Sequence, residues 1–110
     1  MQHDDRVYAG HMLDTARRIT QRVQGVTRES FLADENLQLA LTHLVQVIGE
    51  AARKVSPAFR AIHDQIPWTS IVGMRHRVVH DYLDVDLDLV WEVCSMEIPR
   101  LVPVLESAVG

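Results

Sequence analysis

Residues 34–55, which read DENLQLALTHLVQVIGEAARKV, decide the fold of this chain. Apolar side chains recur there at steps of three and four, which is the spacing of an amphipathic α-helix, and Asp34 is suited to cap its start. A second apolar face predicts that this helix lies in the middle of the domain. The two faces consist of Leu37, Leu41, Leu44, Ile48, Ala52 and Val55, and of Leu39, Ala40, Val47 and Ala51.

Helical patterns continue on both sides of this central helix. We predict helices over about residues 4–24, in 27–34, from Ser56-Pro57, over 68–82, and from near Asp86 to the end, with a kink from Pro99 and Pro103. The sequence has no alternation typical of strands and no linker. It therefore predicts an all-α fold in which residues 1–110 form a single domain, an up-and-down bundle of four main helices with short connections.

Composition sets limits on the class of protein. The chain has 110 residues, of which 47% are hydrophobic and 24% charged, as in ordinary globular domains. It has no apolar run long enough to cross a membrane, and its polar, acidic N-terminus is neither a signal nor a transit peptide. The single cysteine, Cys94, excludes an internal disulfide and favours a cytoplasmic location. A net charge of −4 argues against a broad basic surface that coats nucleic acid, although it permits a local site.

The stretch MRHRVVHDY, residues 74–82, holds a cluster of basic side chains. A helical count from Ile71 places Arg75 on the core side, where its guanidinium would need an acceptor. Glu50 on the central helix is a candidate acceptor, and an i,i+4 pair between Glu50 and Lys54 is an equal alternative.

Two glycines interrupt helical stretches, Gly49 in the central helix and Gly73 before the basic cluster. Glycine costs about 1 kcal/mol relative to alanine within a helix, so each predicts a close approach by other backbone. Gly73, His76 and His80 fall on one stripe of a continuous helix. That stripe predicts a surface where a second copy packs, as in a two-fold homodimer.

The residues leave three interpretations of the histidines open. A position near a helix C-terminus favours the positive form of His80. His76 and His80 also have the i,i+4 spacing of zinc ligands, which Asp84 could complete, but the flanking arginines would repel a cation, so we predict no metal. In the third interpretation Arg75 holds an RNA phosphodiester, and His80 transfers the proton of a 2′-hydroxyl or of the leaving 5′-oxygen.

The pattern formed by Arg75, His80 and Tyr82 resembles the R-x4-H-x-Y motif of HepT-like toxins in the HEPN superfamily of ribonucleases. The stretches FLADENLQLALTHLVQVIGEAARKV (31–55) and IPWTSIVGMRHRVVHDYLDVDLDLVWEV (66–93) are also similar to that family, so the resemblance covers essentially the whole chain.

The resemblance implies a HEPN-like helical protomer and a homodimer in which two motifs face each other across a cleft. It also implies a metal-independent endoribonuclease without a cofactor, which acts on RNA as the toxin of a type II toxin–antitoxin system. Arg75 and His80 would be its catalytic pair, with Tyr82 completing the motif. The implied partner is an MntA-like minimal nucleotidyltransferase antitoxin, which would transfer AMP from ATP to Tyr82.

One position departs from the family pattern, because His76 stands where an asparagine usually follows the arginine. His76 could donate a hydrogen bond to phosphate, add a second acid–base group, or mark reduced nuclease activity. The alternative function is a non-catalytic HEPN module that presents a nucleotide or substrate to a nucleotidyltransferase. RNA cleavage by the purified chain separates the two.

Overall fold

The computed structural model describes residues 4–81 and 83–109, which are mostly helical. The helices are α1 (Asp5–Val23), α2 (Arg28–Leu32), α3 (Glu35–Arg53), α4 (Pro57–Ile62), α5 (Trp68–Val72), α6 (Met74–Val78), α7 (Leu87–Glu92) and α8 (Ile98–Val109), with a π-helical turn at Val93–Glu97 between α7 and α8. Strands β1 (Val79–Asp81) and β2 (Asp84–Val85) form an antiparallel hairpin. The prediction of an all-α fold is confirmed, because the hairpin is only a small addition to a helical bundle.

Helix α3 lies at the centre of the packing, as its two apolar faces predicted. It packs against α1, α5, α6 and α7, while α1 also packs against α8. Phe31 from α2 is fully buried and stacks on Trp91 with ring centroids 5.3 Å apart. The largest fully buried side chains elsewhere in the core are Met12, Ile19, Leu41, Ile48, Ile66, Ile71, Met74, Ile98 and Leu105.

Short polar side chains begin the helices where the sequence predicted. The Asp34 carboxylate accepts a hydrogen bond from the Leu37 amide at 3.0 Å, and Asp86 accepts from the Leu89 amide at the same distance. Ser56 caps α4, in which Pro57 takes the first position. Each cap satisfies an amide that the helix itself leaves without a partner.

The prediction of one helix over residues 68–82 is wrong. The chain forms α5 and α6, two helices of five residues each, which are separated at Gly73. After Val78 the backbone becomes extended, with φ −118° and ψ 106° at Val79, and it enters the hairpin. The Asp86 amide donates to the Val78 carbonyl at 2.8 Å, so the hairpin returns the chain to the end of α6. Two consecutive β-branched valines favour the extended conformation there over a further helical turn.

A π-helical turn lies next to Pro99, near the place where we predicted a kink. This turn, Val93–Glu97, lies directly before α8, and Pro99 is the second residue of that helix. Proline has no amide to donate, and its ring clashes with the carbonyl four residues earlier, so a regular helix cannot continue unchanged through this point. Within α8, Pro103 is accommodated without a break in the helix.

The two glycines have different reasons for their positions. A Cβ atom on Gly49 would lie 3.2 Å from the Ile71 carbonyl oxygen, so α3 and α5 approach each other closely here, as predicted. A Cβ atom on Gly73 would instead meet the carbonyl oxygen of Thr69 at 3.3 Å, in the turn directly before it. The predicted approach of another element at Gly73 is therefore wrong.

We expect Gly49→Ala to lower the free energy of unfolding by about 1 kcal/mol. Alanine gains about 1 kcal/mol of helix propensity, but the forced shift of the Ile71 backbone costs about 1–3 kcal/mol. The matched control is Gly10→Ala in α1, where no atom lies within 4 Å of the added Cβ and a gain of up to about 1 kcal/mol is expected. Urea unfolding measures both variants, and equal stabilisation by the two would contradict the close approach.

Candidate active site

The basic cluster of residues 75–77 lies on α6, a helix too short to be stable alone. It has no side-chain cap at its N-terminus, and its buried residues are Met74 and Val78. Basic side chains in its last turn are favoured by the helix dipole. His80 lies two residues beyond the end of this helix, in β1.

Arg75 is exposed, so the prediction that it lies in the middle of the core is wrong. Its neighbours Met74 and Val78 occupy the buried side of α6, while the guanidinium reaches back along the rim of α3. There the Arg75 Nε donates to Gln46 Oε1 at 3.3 Å. Glu50 pairs with Arg53 at 3.4 Å. We had predicted that Glu50 pairs with Arg75 or with Lys54, and the structure shows neither pair.

Arg75 and His76 open into one cavity of about 310 Å³ between α3, α5 and α6. Both side chains are exposed, as is the paired Glu50 at the same cavity. The residues that line the cavity are Gln46, Gly49, Glu50, Arg53, Val72, Arg75 and His76. His80 is not among these lining residues.

His80 occupies an irregular position in the hairpin. Val79 pairs with Val85 and Asp81 pairs with Asp84, so β1 has one more residue than β2 between the two pairs, and that residue is His80. Its side chain is exposed. Such bulges re-aim a side chain and are common beside active sites. No periodic pattern in the sequence indicated this bulge, although the β-branched residues Val79 and Val85 favour the strands that flank it.

The predicted stripe of Gly73, His76 and His80 does not exist as a single helical face. Gly73 separates α5 from α6, and His76 and His80 lie on a helix and a strand respectively. The helical i,i+4 geometry on which the zinc interpretation depended is therefore absent. Within residues 4–81 and 83–109, no group of three or more potential metal-ligating side chains lies close enough together to hold an ion.

Arg77 makes the contact that fixes α6, and no sequence pattern indicated it. Its Nη1 and Nη2 atoms donate to Glu97 Oε1 and Oε2, both at 2.9 Å. This bidentate pair joins α6 to the π-helical turn. The hydrogen bonds from Arg77 lower the pKa of Glu97 below its ordinary value, and the bonds to Glu97 raise the pKa of Arg77. The pair therefore positions the helix that presents Arg75 and His76.

Stability should depend on the ionisation of Glu97. The pKa of Glu97 is lower in the folded chain than its value of 4.5 in the unfolded chain. The ionised carboxylate therefore adds to the free energy of unfolding above pH 4.5, and this contribution is lost as the pH falls through the lower pKa of the folded chain. We expect Glu97→Gln to cost about 1–2 kcal/mol at pH 7 and less at pH 3. Unfolding at both values measures this. Glu106→Gln, in an exposed 3.7 Å pair with Arg17, is the control and should change stability by less than about 1 kcal/mol.

Cys94 lies in the core. Burial raises the pKa of the Cys94 thiol to about 12, so this cysteine is a small buried apolar residue and not a nucleophile.

Tyr82 lies outside the described residues. Its neighbours in sequence, Asp81 and Leu83, are both exposed. No helix in the described part of the chain has the length and apolar character needed to span a membrane.

Comparison with known proteins identifies the family. The family "Ribonuclease HepT-like" matches residues 12–108. The chain belongs to the HepT-like ribonuclease family. A protein of Caldanaerobacter subterraneus subsp. tengcongensis, named "Putative RNase", is 35% identical over 96 residues, which cover 87% of this chain and 86% of that protein. A Thermococcus cleftensis protein named "Probable ribonuclease HepT" is 28% identical over 101 residues, which cover 92% of each.

No solved structure shows a significant match to this HepT-like chain. The family match confirms the resemblance that the R-x4-H-x-Y pattern indicated. It begins in α1 and ends in α8, so it includes α6, the hairpin and the α3 rim that contacts Arg75. The candidate site therefore lies wholly within the part of the chain that is similar to the family.

Proposed function

We propose that this HepT-like protein is a metal-independent endoribonuclease, that residues 1–110 form its single domain, and that it acts in the cytoplasm as the toxin of a toxin–antitoxin pair. One observation carries the proposal. The switch from α6 to the β1 bulge leaves Arg75 and His80 both exposed, in a chain that belongs to a ribonuclease family. RNA cleavage without a metal needs a cation that stabilises the charge on the phosphate and a side chain that transfers protons. Arg75 and His80, on neighbouring elements, are side chains of these two types.

In the proposed reaction the 2′-hydroxyl oxygen attacks the adjacent phosphorus while its proton passes to a histidine. The bond from phosphorus to the 5′-oxygen breaks, and that oxygen takes up a proton. The products are a 2′,3′-cyclic phosphate and a 5′-hydroxyl. Arg75 binds the phosphate and stabilises the charge that develops on it, while His80 transfers protons. His76, at the same cavity as Arg75, is an auxiliary donor to the phosphate.

A homodimer would complete this site. Each chain supplies one His80, and the reaction removes one proton and delivers another. His80 also lies outside the cavity that Arg75 lines, so a second copy could bring its histidine to the cavity of the first. We therefore propose that two motifs face each other across a two-fold axis.

We further propose that a minimal nucleotidyltransferase of the MntA type is the antitoxin and transfers AMP from ATP to Tyr82. The exposed positions of Asp81 and Leu83 support access by a partner to this part of the hairpin. Leu83 has an exposed fraction of 84%, which offers an apolar contact beside the tyrosine. An AMP group there would compete with RNA phosphate for Arg75 and block the cleft.

The direct test is incubation of the purified protein with a labelled single-stranded RNA in excess EDTA. Cleavage that persists in EDTA and is unchanged by added zinc supports the proposal. Activity that vanishes with EDTA and returns with zinc would revive the metal interpretation. RNA binding without cleavage, in the absence of any AMP on the protein, would instead favour the non-catalytic module.

A further inference from the structure

A second, larger cavity adjoins the one that Arg75 lines. It lies between α1 and α3 and has a volume of about 620 Å³, within the range of small-ligand sites; we call it the α1–α3 groove. Gln46 and Glu50 line both the α1–α3 groove and the Arg75 cavity. The Gln46 side chain also accepts the hydrogen bond from Arg75 Nε. The two cavities therefore lie side by side and share part of their walls on α3.

Charge is distributed unevenly over these two cavities. The chain as a whole has 11 Lys and Arg against 15 Asp and Glu. In the linings of the two cavities, taken together, the cations outnumber the acids instead, by four to two. The cations are Arg18, Arg53, Lys54 and Arg75, and the acids are Asp14 and Glu50. A locally positive surface on an acidic protein is suited to a polyanion.

The walls of the α1–α3 groove are also suited to nucleobases. Tyr8 is half-buried, and His11 meets it edge-on with ring centroids 6.3 Å apart. The Lys54 ammonium lies 5.9 Å from the Tyr8 ring, so a cation and an aromatic face stand together. Single-stranded nucleic acids are held by this combination, in which bases stack on aromatic rings and cations follow the phosphates.

We propose that the α1–α3 groove binds the RNA strand on one side of the phosphodiester held at Arg75. The inference rests on the proposed ribonuclease function and deepens it by assigning a path for the substrate. Lys54 and Arg18 contact phosphates beyond the cleaved one, and a base lies against Tyr8. Within the described residues Arg18 makes no ion pair, whereas the neighbouring Arg17 pairs with Glu106.

The lining of the α1–α3 groove itself holds two cations, Arg18 and Lys54, and two acids, Asp14 and Glu50. Because Glu50 is paired with Arg53, Asp14 is the acid in this lining that offsets the two cations. An RNA strand can neutralise the remaining positive charge. The acids do not oppose RNA, because Glu50 is already paired with Arg53 and carboxylates can accept hydrogen bonds from base amino groups.

The test compares a dinucleotide with a single-stranded RNA of about 12 nucleotides as substrates. The variant is the double charge reversal Arg18→Glu, Lys54→Glu, and the matched control is Arg22→Glu, one helical turn from Arg18 and outside both cavities. The unaltered protein should prefer the longer RNA by at least about tenfold in kcat/KM, and the double variant should lose most of that preference. The control should keep the preference.

Binding of an uncleavable 2′-deoxy strand of the same length separates this proposal from the proposed function. Loss of two phosphate contacts should lower the slope of log affinity against log salt by about 1.4. If the protein cuts no RNA and this slope still falls, the ribonuclease proposal fails and the groove assignment stands. If the double variant changes neither the slope nor the length preference, the proposal that the α1–α3 groove binds RNA is wrong. It is also wrong if sedimentation shows that the double variant converts a dimer to monomers, because a second copy would then occupy the groove.

Discussion

Arg75→Ala is expected to lower kcat for RNA cleavage by about 10³-fold, and His80→Ala by about 10²–10⁴-fold. In the proposed mechanism, Arg75 supplies the positive charge next to the phosphate and His80 transfers the protons. Both side chains are exposed and lie outside the core. The free energy of unfolding of each variant should therefore lie within about 0.5 kcal/mol of that of the unaltered protein. Cleavage of labelled RNA under single-turnover conditions, with thermal unfolding of the same samples, measures both effects.

The control for these variants is Arg22→Ala, because Arg22 is an exposed arginine that lines neither cavity. It should cleave RNA at the normal rate. Retention of full activity by either Arg75→Ala or His80→Ala would remove that residue from the mechanism. A mixture of Arg75→Ala and His80→Ala chains that regains part of the lost activity would support a site shared between two copies.

Co-expression with an MntA-type nucleotidyltransferase is expected to add AMP to Tyr82 and to abolish RNA cleavage. The modification replaces a neutral hydroxyl with a bulky, charged phosphodiester, which in our proposal competes with RNA phosphate for Arg75. Intact-mass measurement should show added mass in units of AMP, and this mass should be absent from Tyr82→Phe.

The second tyrosine of the chain provides a matched control, since the sequence contains only Tyr8 and Tyr82. Tyr8→Phe should still accept AMP. Modification of a different residue, or complete loss of RNA cleavage without any added mass, would contradict control through Tyr82.

Sequence patterns predicted the bundle well because each long helix repeats its apolar residues often enough to define a face. The 19-residue helices α1 and α3 agree with their predicted ranges to within two residues at each end. Caps such as Asp34 and Asp86 act locally, so their positions could also be predicted. The R-x4-H-x-Y pattern led to the family for a similar reason, because it is a short local spacing.

The candidate site was harder to predict because it depends on contacts between distant residues. A helical count over residues 68–82 assumed an unbroken helix, whereas the chain breaks at Gly73 and becomes extended at Val79. The contact between Arg77 and Glu97 spans 20 residues and depends on a π-helical turn, for which the sequence provides only the nearby Pro99 as a sign. The exposed position of Arg75 follows from these long-range contacts.

The chemical identity of the RNA ends produced in excess EDTA is the sharpest test of whether Arg75 and His80 cleave RNA without a metal. Our mechanism predicts a 2′,3′-cyclic phosphate on one fragment and a 5′-hydroxyl on the other, because the attacking group is the 2′-hydroxyl and no metal-bound water takes part. Mass spectrometry of the fragments distinguishes these ends from their alternatives. Fragments with a 3′-hydroxyl and a 5′-phosphate, formed only when a divalent ion is supplied, would contradict the assignment of Arg75 and His80 as the groups that cleave RNA.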